Sequence, residues 1–181
     1  MDRLPPLPEA CWNEAQRGYA REIIDGPRGA LLSPFVPLMR SPELMAHASR
    51  MGEYLRYRSA LPPRLSELAI LVTAHQWGQA VEWAIHAPIA ARAGVADSTI
   101  QAIAAGISPE GLPADEASVY ALSMELHQQH GVSDPTWQAA IGLLGERGVV
   151  DLIGINGYYT FLSMVMNAAR TPVPGMKATE S

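Results

Sequence analysis

Cysteine is almost missing from this chain. A single one, Cys11, stands among 181 residues, which excludes an intrachain disulfide framework and a Cys-x-x-Cys redox pair and fits a reducing compartment. Clustered positive charge is missing too. The 13 lysines and arginines are scattered, 18 acidic residues outnumber them, and the net charge is -5. Binding nucleic acid requires grouped cations against phosphates, so nucleic acid is not an expected partner. No stretch approaches the roughly 18 uncharged apolar residues of a membrane span, and the N-terminus lacks the apolar core of a signal peptide. The expectation is a soluble, cytoplasmic protein without a membrane partner. Glycine-rich phosphate loops, Gly-x-Ser-x-Gly elbows and nucleotide fingerprints are absent as well.

Strand-like alternation is also nearly absent, whereas alanine, leucine and methionine recur at helical period between clusters of proline and glycine. This pattern predicts an all-α fold. About eight helices are expected, over 8–24, 42–59, 63–77, 79–93, 97–105, 113–130, 134–145 and 147–169, in one domain covering 1–181. Ser41 before Pro42, Asp97 and Ser133 are N-cap candidates, and Gly94, Gly106 and Gly131 sit where helices stop. The stretch 106–113 is the best internal linker. The tail from Thr171 onward, broken by Pro172 and Pro174, is expected to extend along the surface or a neighbouring subunit. Apolar residues make up 48% and charged residues only 17%, which points to burial between subunits.

What the sequence does contain is a set of ionisable groups in an apolar run. Arg64-Leu65-Ser66-Glu67 opens a stretch continuing Leu-Ala-Ile-Leu-Val-Thr-Ala, and after Gly78 follows Val81-Glu82-Trp83-Ala84-Ile85-His86. Burying Glu67, Glu82 and His86 there costs free energy unless they pair or do chemistry. Glu82 and His86 are four apart, roughly 40° around a helix axis, and so share one face. A break at Gly78 places Gln79 to Glu82 in the first turn of a new helix, where free N–H groups and the positive end of the dipole favour an anion. Two helices joined by a short turn pack antiparallel, which brings Glu67 towards His86 and permits a Glu67–His86–Glu82 cluster.

The plain alternatives are a dipole-stabilised Glu67 in the first turn of its helix and an exposed Glu82–His86 pair. His75 reads as a packed or helix-end histidine beside Trp77, and His127 and His130 as partners of a helix C-terminus. Metal binding is a further alternative, but the interval is Glu-x-x-x-His where helical di-iron sites use Glu-x-x-His, and no second copy occurs, so no metal ligands are assigned. Asn156, Tyr158, Tyr159, Met164 and Met166 share a stripe that suits core or subunit interface, with Tyr158 or Tyr159 able to line a pocket.

The segment from Arg64 to Val95, with Arg-Leu-Ser-Glu-Leu-Ala-Ile-Leu-Val-Thr-Ala and Val-Glu-Trp-Ala-Ile-His-Ala-Pro-Ile-Ala-Ala-Arg-Ala-Gly-Val, resembles the carboxymuconolactone decarboxylase family, which includes the alkylhydroperoxidase D-like proteins. The stretch from Gly157-Tyr158-Tyr159 to Pro172-Val173-Pro174 resembles a branch of it. The resemblance implies an all-helical bundle that assembles as trimers or hexamers. In the alkylhydroperoxidase branch a glutamate precedes Cys-x-His-Cys-x-x-x-His. The glutamate and last histidine fall on Glu67 and His86, but the cysteines fall on Gln79 and Glu82 and the inner histidine on Val81. Thiol chemistry is therefore removed.

The decarboxylase branch works without a redox pair and, like this chain, has a glutamate four residues before the histidine. The resemblance thus implies a cofactor-free acid–base enzyme of lyase type on a small carboxylated or lactone-like metabolite. In that reading His86 is the acid, Glu82 orients it and Glu67 completes the relay. Arg64, Gln79, Trp83 and Tyr158 are the substrate-binding candidates. The other readings are an alkylhydroperoxidase-like antioxidant protein and a non-catalytic oligomer that binds a ligand.

Overall fold

The computed structural model describes residues 1–173, and within them the chain is helical, with no strand. Eight α-helices follow a short 3-10 turn over Glu9–Cys11: α1 Glu14–Asp25, α2 Phe35–Leu38, α3 Pro42–Tyr57, α4 Pro63–Gln76, α5 Ala80–Ala93, α6 Asp97–Ala104, α7 Ala114–Gln129 and α8 Asp134–Ala169.

The centre is α4. Every residue from Leu65 to Ala74 is buried, which follows from a sequence that is apolar around the whole helix instead of along one stripe. It packs against α5 and α6 on one side of the 106–113 connection and against α7 and α8 on the other, so that connection does not separate two cores. On the outside, α1 lies on α3, and α2 and α3 lie on α8. The N-terminal strand of coil is tied down by the Arg3 amide donating to the Ala169 carbonyl at 2.8 Å and by Arg40 donating to the Pro5 carbonyl at 2.6 Å.

Several helix ends differ from the sequence expectation for identifiable reasons. The expected helix over 8–24 is interrupted at Trp12 because Asn13 and Gln16 form a reciprocal capping box that starts α1 anew. Asp97 is the first residue of α6, after an Ala96 cap, and Ser133 precedes α8 but donates its hydroxyl to Glu125 instead of capping. Gly94 closes α5 in the left-handed region (φ 99°). At the end of α7 it is His130, not Gly131, that takes that conformation. The break expected near residue 146 is present as a kink at Gly145, whose φ of 69° and ψ of 168° interrupt an otherwise continuous α8.

One absence needs correction. By length and composition α8 is apolar enough to cross a membrane, with a mean hydropathy of 1.3 over its best 18-residue window. More than half of that window is buried inside the fold, however, as befits the core helix of a bundle. Thr171, Pro172 and Val173 follow α8 as coil, and the rest of the expected tail lies outside the described residues.

Candidate active site

The turn between α4 and α5 sets up the site. Gly78 adopts φ 56°, which a side chain would strain, and the following Gln79 caps α5 by accepting from the Val81 amide at 2.7 Å. The other end of the Gln79 carboxamide donates to Asn167 at 2.8 Å, and Asn167 donates in turn to the Trp77 carbonyl at 2.9 Å. The C-terminal part of α8 thereby clamps the turn. α5 then runs back along α4, and Glu82 falls on its third residue, inside the first turn.

This antiparallel return brings the three ionisable residues together. His86 Nδ1 lies 2.6 Å from Glu67 Oε2 and Nε2 lies 3.3 Å from Glu82 Oε2. All three side chains are buried, so the exposed-pair alternative for Glu82 and His86 does not hold. Nor is Glu67 a first-turn residue, since α4 begins at Pro63 and places it one turn deeper, against the core. Burial alone would push the His86 imidazole down, but the hydrogen bonds and charges of Glu67 and Glu82 outweigh it and hold the imidazolium above its ordinary 6.5. The carboxylates occupy opposite ring nitrogens and therefore hold the histidine between them, with no common point on which three donors converge. Among the described residues no group of three or more acidic, histidine or cysteine side chains is arranged to hold a metal ion.

The floor of the site comes from α8. Tyr159 meets the His86 ring edge-on at 5.1 Å, and Tyr158 meets Tyr159 the same way at 5.3 Å. A cavity with about 20 Å³ of room, enough for one water-sized oxygen, is bounded by Arg28, Phe35, Arg56, Glu82, His86 and Tyr158, among others. Burial pushes the Tyr158 hydroxyl up to about 12, with Glu82 adding to the shift and Arg28 opposing it, and burial drives Tyr159 well above its ordinary value. Both phenols are therefore protonated donors near neutral pH.

Three polar atoms on residues that line this cavity, Glu82 Oε1, Tyr158 Oη and Arg28 Nε, find no hydrogen-bond partner among the described residues. Leaving such a group unpaired costs about 1–3 kcal/mol.

Of the expected substrate-binding residues only Tyr158 reaches this cavity. Arg64 packs its stem against Gly94 and pairs its guanidinium with Asp115 and Glu116 on α7. Gln79 is committed to its cap and to Asn167, and Trp83 stacks edge-on with His75 at 6.5 Å. His127 is not a simple helix-end partner: Nε2 lies 3.0 Å from Asn156 Oδ1 and 3.1 Å from Thr73 Oγ1 in a separate network, and burial lowers its pKa despite the Asn156 contact. Cys11 is exposed on the N-terminal 3-10 turn. Arg28 and Arg56 were invisible to sequence spacing, because they come from the α1–α2 connection and from α3, with no periodic relation to the Glu67–His86 segment.

The model of the carboxymuconolactone decarboxylase family matches 42–123, the stretch that contains Glu67, Glu82 and His86. The sequence carries no Cys-x-x-Cys pair in this stretch.

Among solved structures, the apo debrominase Bmp8 superposes with a TM-score of 0.74 at 13% identity, covering 95% of this chain and 92% of that one. A cysteine-to-alanine variant of Bmp8 in complex with 2,3,4-tribromopyrrole gives the same score and identity over 95% and 91%. A protein of unknown function from Agrobacterium tumefaciens, a candidate antioxidant defence protein AhpD, gives 0.68 at 14% identity over 76% of this chain and 94% of its own. At these identities the likeness concerns the fold. No curated protein matches the chain.

Proposed function

We propose that this protein is a cofactor-free acid–base enzyme of carboxy-lyase type, acting on a small carboxylated or lactone-like metabolite. The observation that carries the reading is the buried string Glu67–His86–Glu82, whose last member lines a cavity and keeps one oxygen, Oε1, without a partner among the described residues. Loss of carbon dioxide breaks a C–C bond and leaves its electron pair on carbon, and a proton must be supplied there. Glu67 holds the imidazole in place and favours its protonated form. His86 supplies the proton and Glu82, the member with an oxygen open to the guest, hands it on. This order assigns Glu82 a more direct part than orienting His86, because the 2.6 Å contact to Glu67 already fixes the ring.

Peroxide reduction has no support in the site. It needs a thiolate and a resolving thiol, whereas Gln79 and Glu82 stand at the two cysteine positions and the lone Cys11 is on the surface. The test is a panel of small lactone acids, scored by carbon dioxide release and by solvent deuterium retained in the product. Turnover that survives Cys11→Ser and thiol blocking but falls with His86→Gln supports the proposal. A peroxidase activity that Cys11→Ser abolishes, or turnover indifferent to His86→Gln, refutes it.

A further inference from the structure

Of the five buried side-chain polar atoms without a partner among the described residues, three belong to residues that line the cavity next to His86. Their hydrogen-bonding characters are complementary to a guest. Tyr158 is protonated and carries O–H, Arg28 carries Nε–H, and Glu82, on the same cavity, carries the unpartnered Oε1 that serves as the acid–base atom. Arg56 adds a second positive charge to the same wall. Tyr158 is 3% exposed and Glu82 1% exposed, so neither is turned to bulk solvent.

Gly52 on α3 makes this arrangement possible. A Cβ at that position would overlap both the Tyr158 hydroxyl and the Arg28 guanidinium, so the absence of a side chain is what admits the two donors side by side. Arg28 itself is held by its guanidinium lying 4.9 Å over the Phe35 ring and by a long contact from Nη2 to the Ser49 carbonyl, which leave Nε directed elsewhere. None of Arg28, Tyr158 or Tyr159 lies in the family-matched segment.

We propose that Arg28 and Tyr158 form an oxyanion subsite that holds an anionic oxygen of the guest opposite Glu82. The inference rests on the acid–base reading of the site and deepens it. When the C–C bond to the departing carbon dioxide breaks, its electron pair delocalises into a neighbouring carbonyl and makes an enolate oxygen. Two preorganised donors in a site shielded from water stabilise that charge as it develops. Protonation at carbon by way of Glu82 then restores the carbonyl and discharges the oxygen. The cavity accommodates one oxygen atom, matching a subsite for the reacting group and not for the whole substrate.

The experiment titrates acetate, and acetamide as its neutral counterpart, into the full chain while following the side-chain Nε–H resonances of the arginines by NMR. Arg28→Lys identifies the Arg28 signal. Acetate is expected to shift that signal saturably and acetamide not, and Tyr158→Phe is expected to weaken acetate binding about tenfold. Tyr158→Phe removes a hydroxyl with no partner and so should keep or raise the melting temperature, while lowering turnover of any substrate found for the enzyme about 100-fold.

An Arg28 signal blind to acetate overturns the subsite, and so does a Tyr158→Phe variant that melts lower yet binds acetate as wild type does. Acetate binding that depends on Arg28, in a protein that turns over no lactone acid, leaves the subsite standing and removes the lyase reading. Turnover unaffected by Arg28→Lys and Tyr158→Phe does the reverse.

Discussion

His86 Nδ1 and Glu67 Oε2 are 2.6 Å apart across two helices, although 19 residues and a tight turn separate them in the chain. A distance this short between a buried imidazole and a buried carboxylate marks a charge-assisted hydrogen bond. It also fixes which nitrogen remains for chemistry, since Nδ1 is engaged and Nε2 is directed at Glu82. Removing Glu67 by alanine substitution should therefore cost stability at the scale of a broken buried pair, about 3–5 kcal/mol. Denaturant unfolding measures it, and a loss below 1 kcal/mol would mean the contact is not formed in solution.

The same pair predicts a pH dependence of stability. The folded-state pKa of His86 lies above its ordinary 6.5. The protonated imidazole thus contributes stability that is fully present below the unfolded value and is lost as pH rises through the folded one. The melting-temperature difference between wild type and His86→Gln should be largest below the ordinary histidine value of about 6.5 and shrink as pH rises above it. A difference that grows with pH contradicts the assignment.

Arg64 illustrates a charged residue that belongs to the scaffold. Its guanidinium, 27% exposed, bridges Asp115 and the buried Glu116 at the start of α7. Arg64→Ala should cost about 3 kcal/mol, the lower end for a partly solvated pair, through the uncompensated Glu116. Activity per folded molecule should stay unchanged, as checked by turnover normalised to folded protein.

How much of this was legible in the sequence depends on the distance over which each signal acts. Glu82 and His86 are related by helical periodicity, and Glu67 by the antiparallel return that the Gly78 turn imposes, so the acid–base string could be read directly. Arg28 and Gly52 could not, because their relation to Tyr158 is tertiary and leaves no spacing to read. Arg64 misled because an arginine beside an acidic site looks like a substrate ligand until α7 is seen to supply its partners. Gln79 misled likewise, since its cap and its bond to Asn167 depend on α8, 88 residues away. The apolar period over 8–24 runs through Trp12, whereas the reciprocal Asn13–Gln16 capping box starts the helix only after it.

Self-association, which the family resemblance implies, can be tested on the apolar side chains the fold leaves outside. Val150, Ile153 and Met164 on α8 and Leu44 and Met51 on α3 remain 36–62% exposed, apolar side chains that a contact between subunits would cover. Light scattering should give a trimer or hexamer, and Val150→Lys with Met164→Lys should shift it towards smaller species. A wild-type monomer at micromolar concentration would contradict this expectation.

The central claim is that the buried string moves a proton through Glu82, and the measurement that addresses it is kcat/KM of Glu82→Gln on a lactone acid turned over by wild type, with folding checked by melting temperature. Gln keeps the volume and hydrogen-bonding shape but cannot carry the proton. The account predicts a loss of 100-fold or more, within the range of about 10²–10⁴ for a general acid–base group, in a variant that remains folded. A Glu82→Gln enzyme within a few-fold of wild type would contradict it.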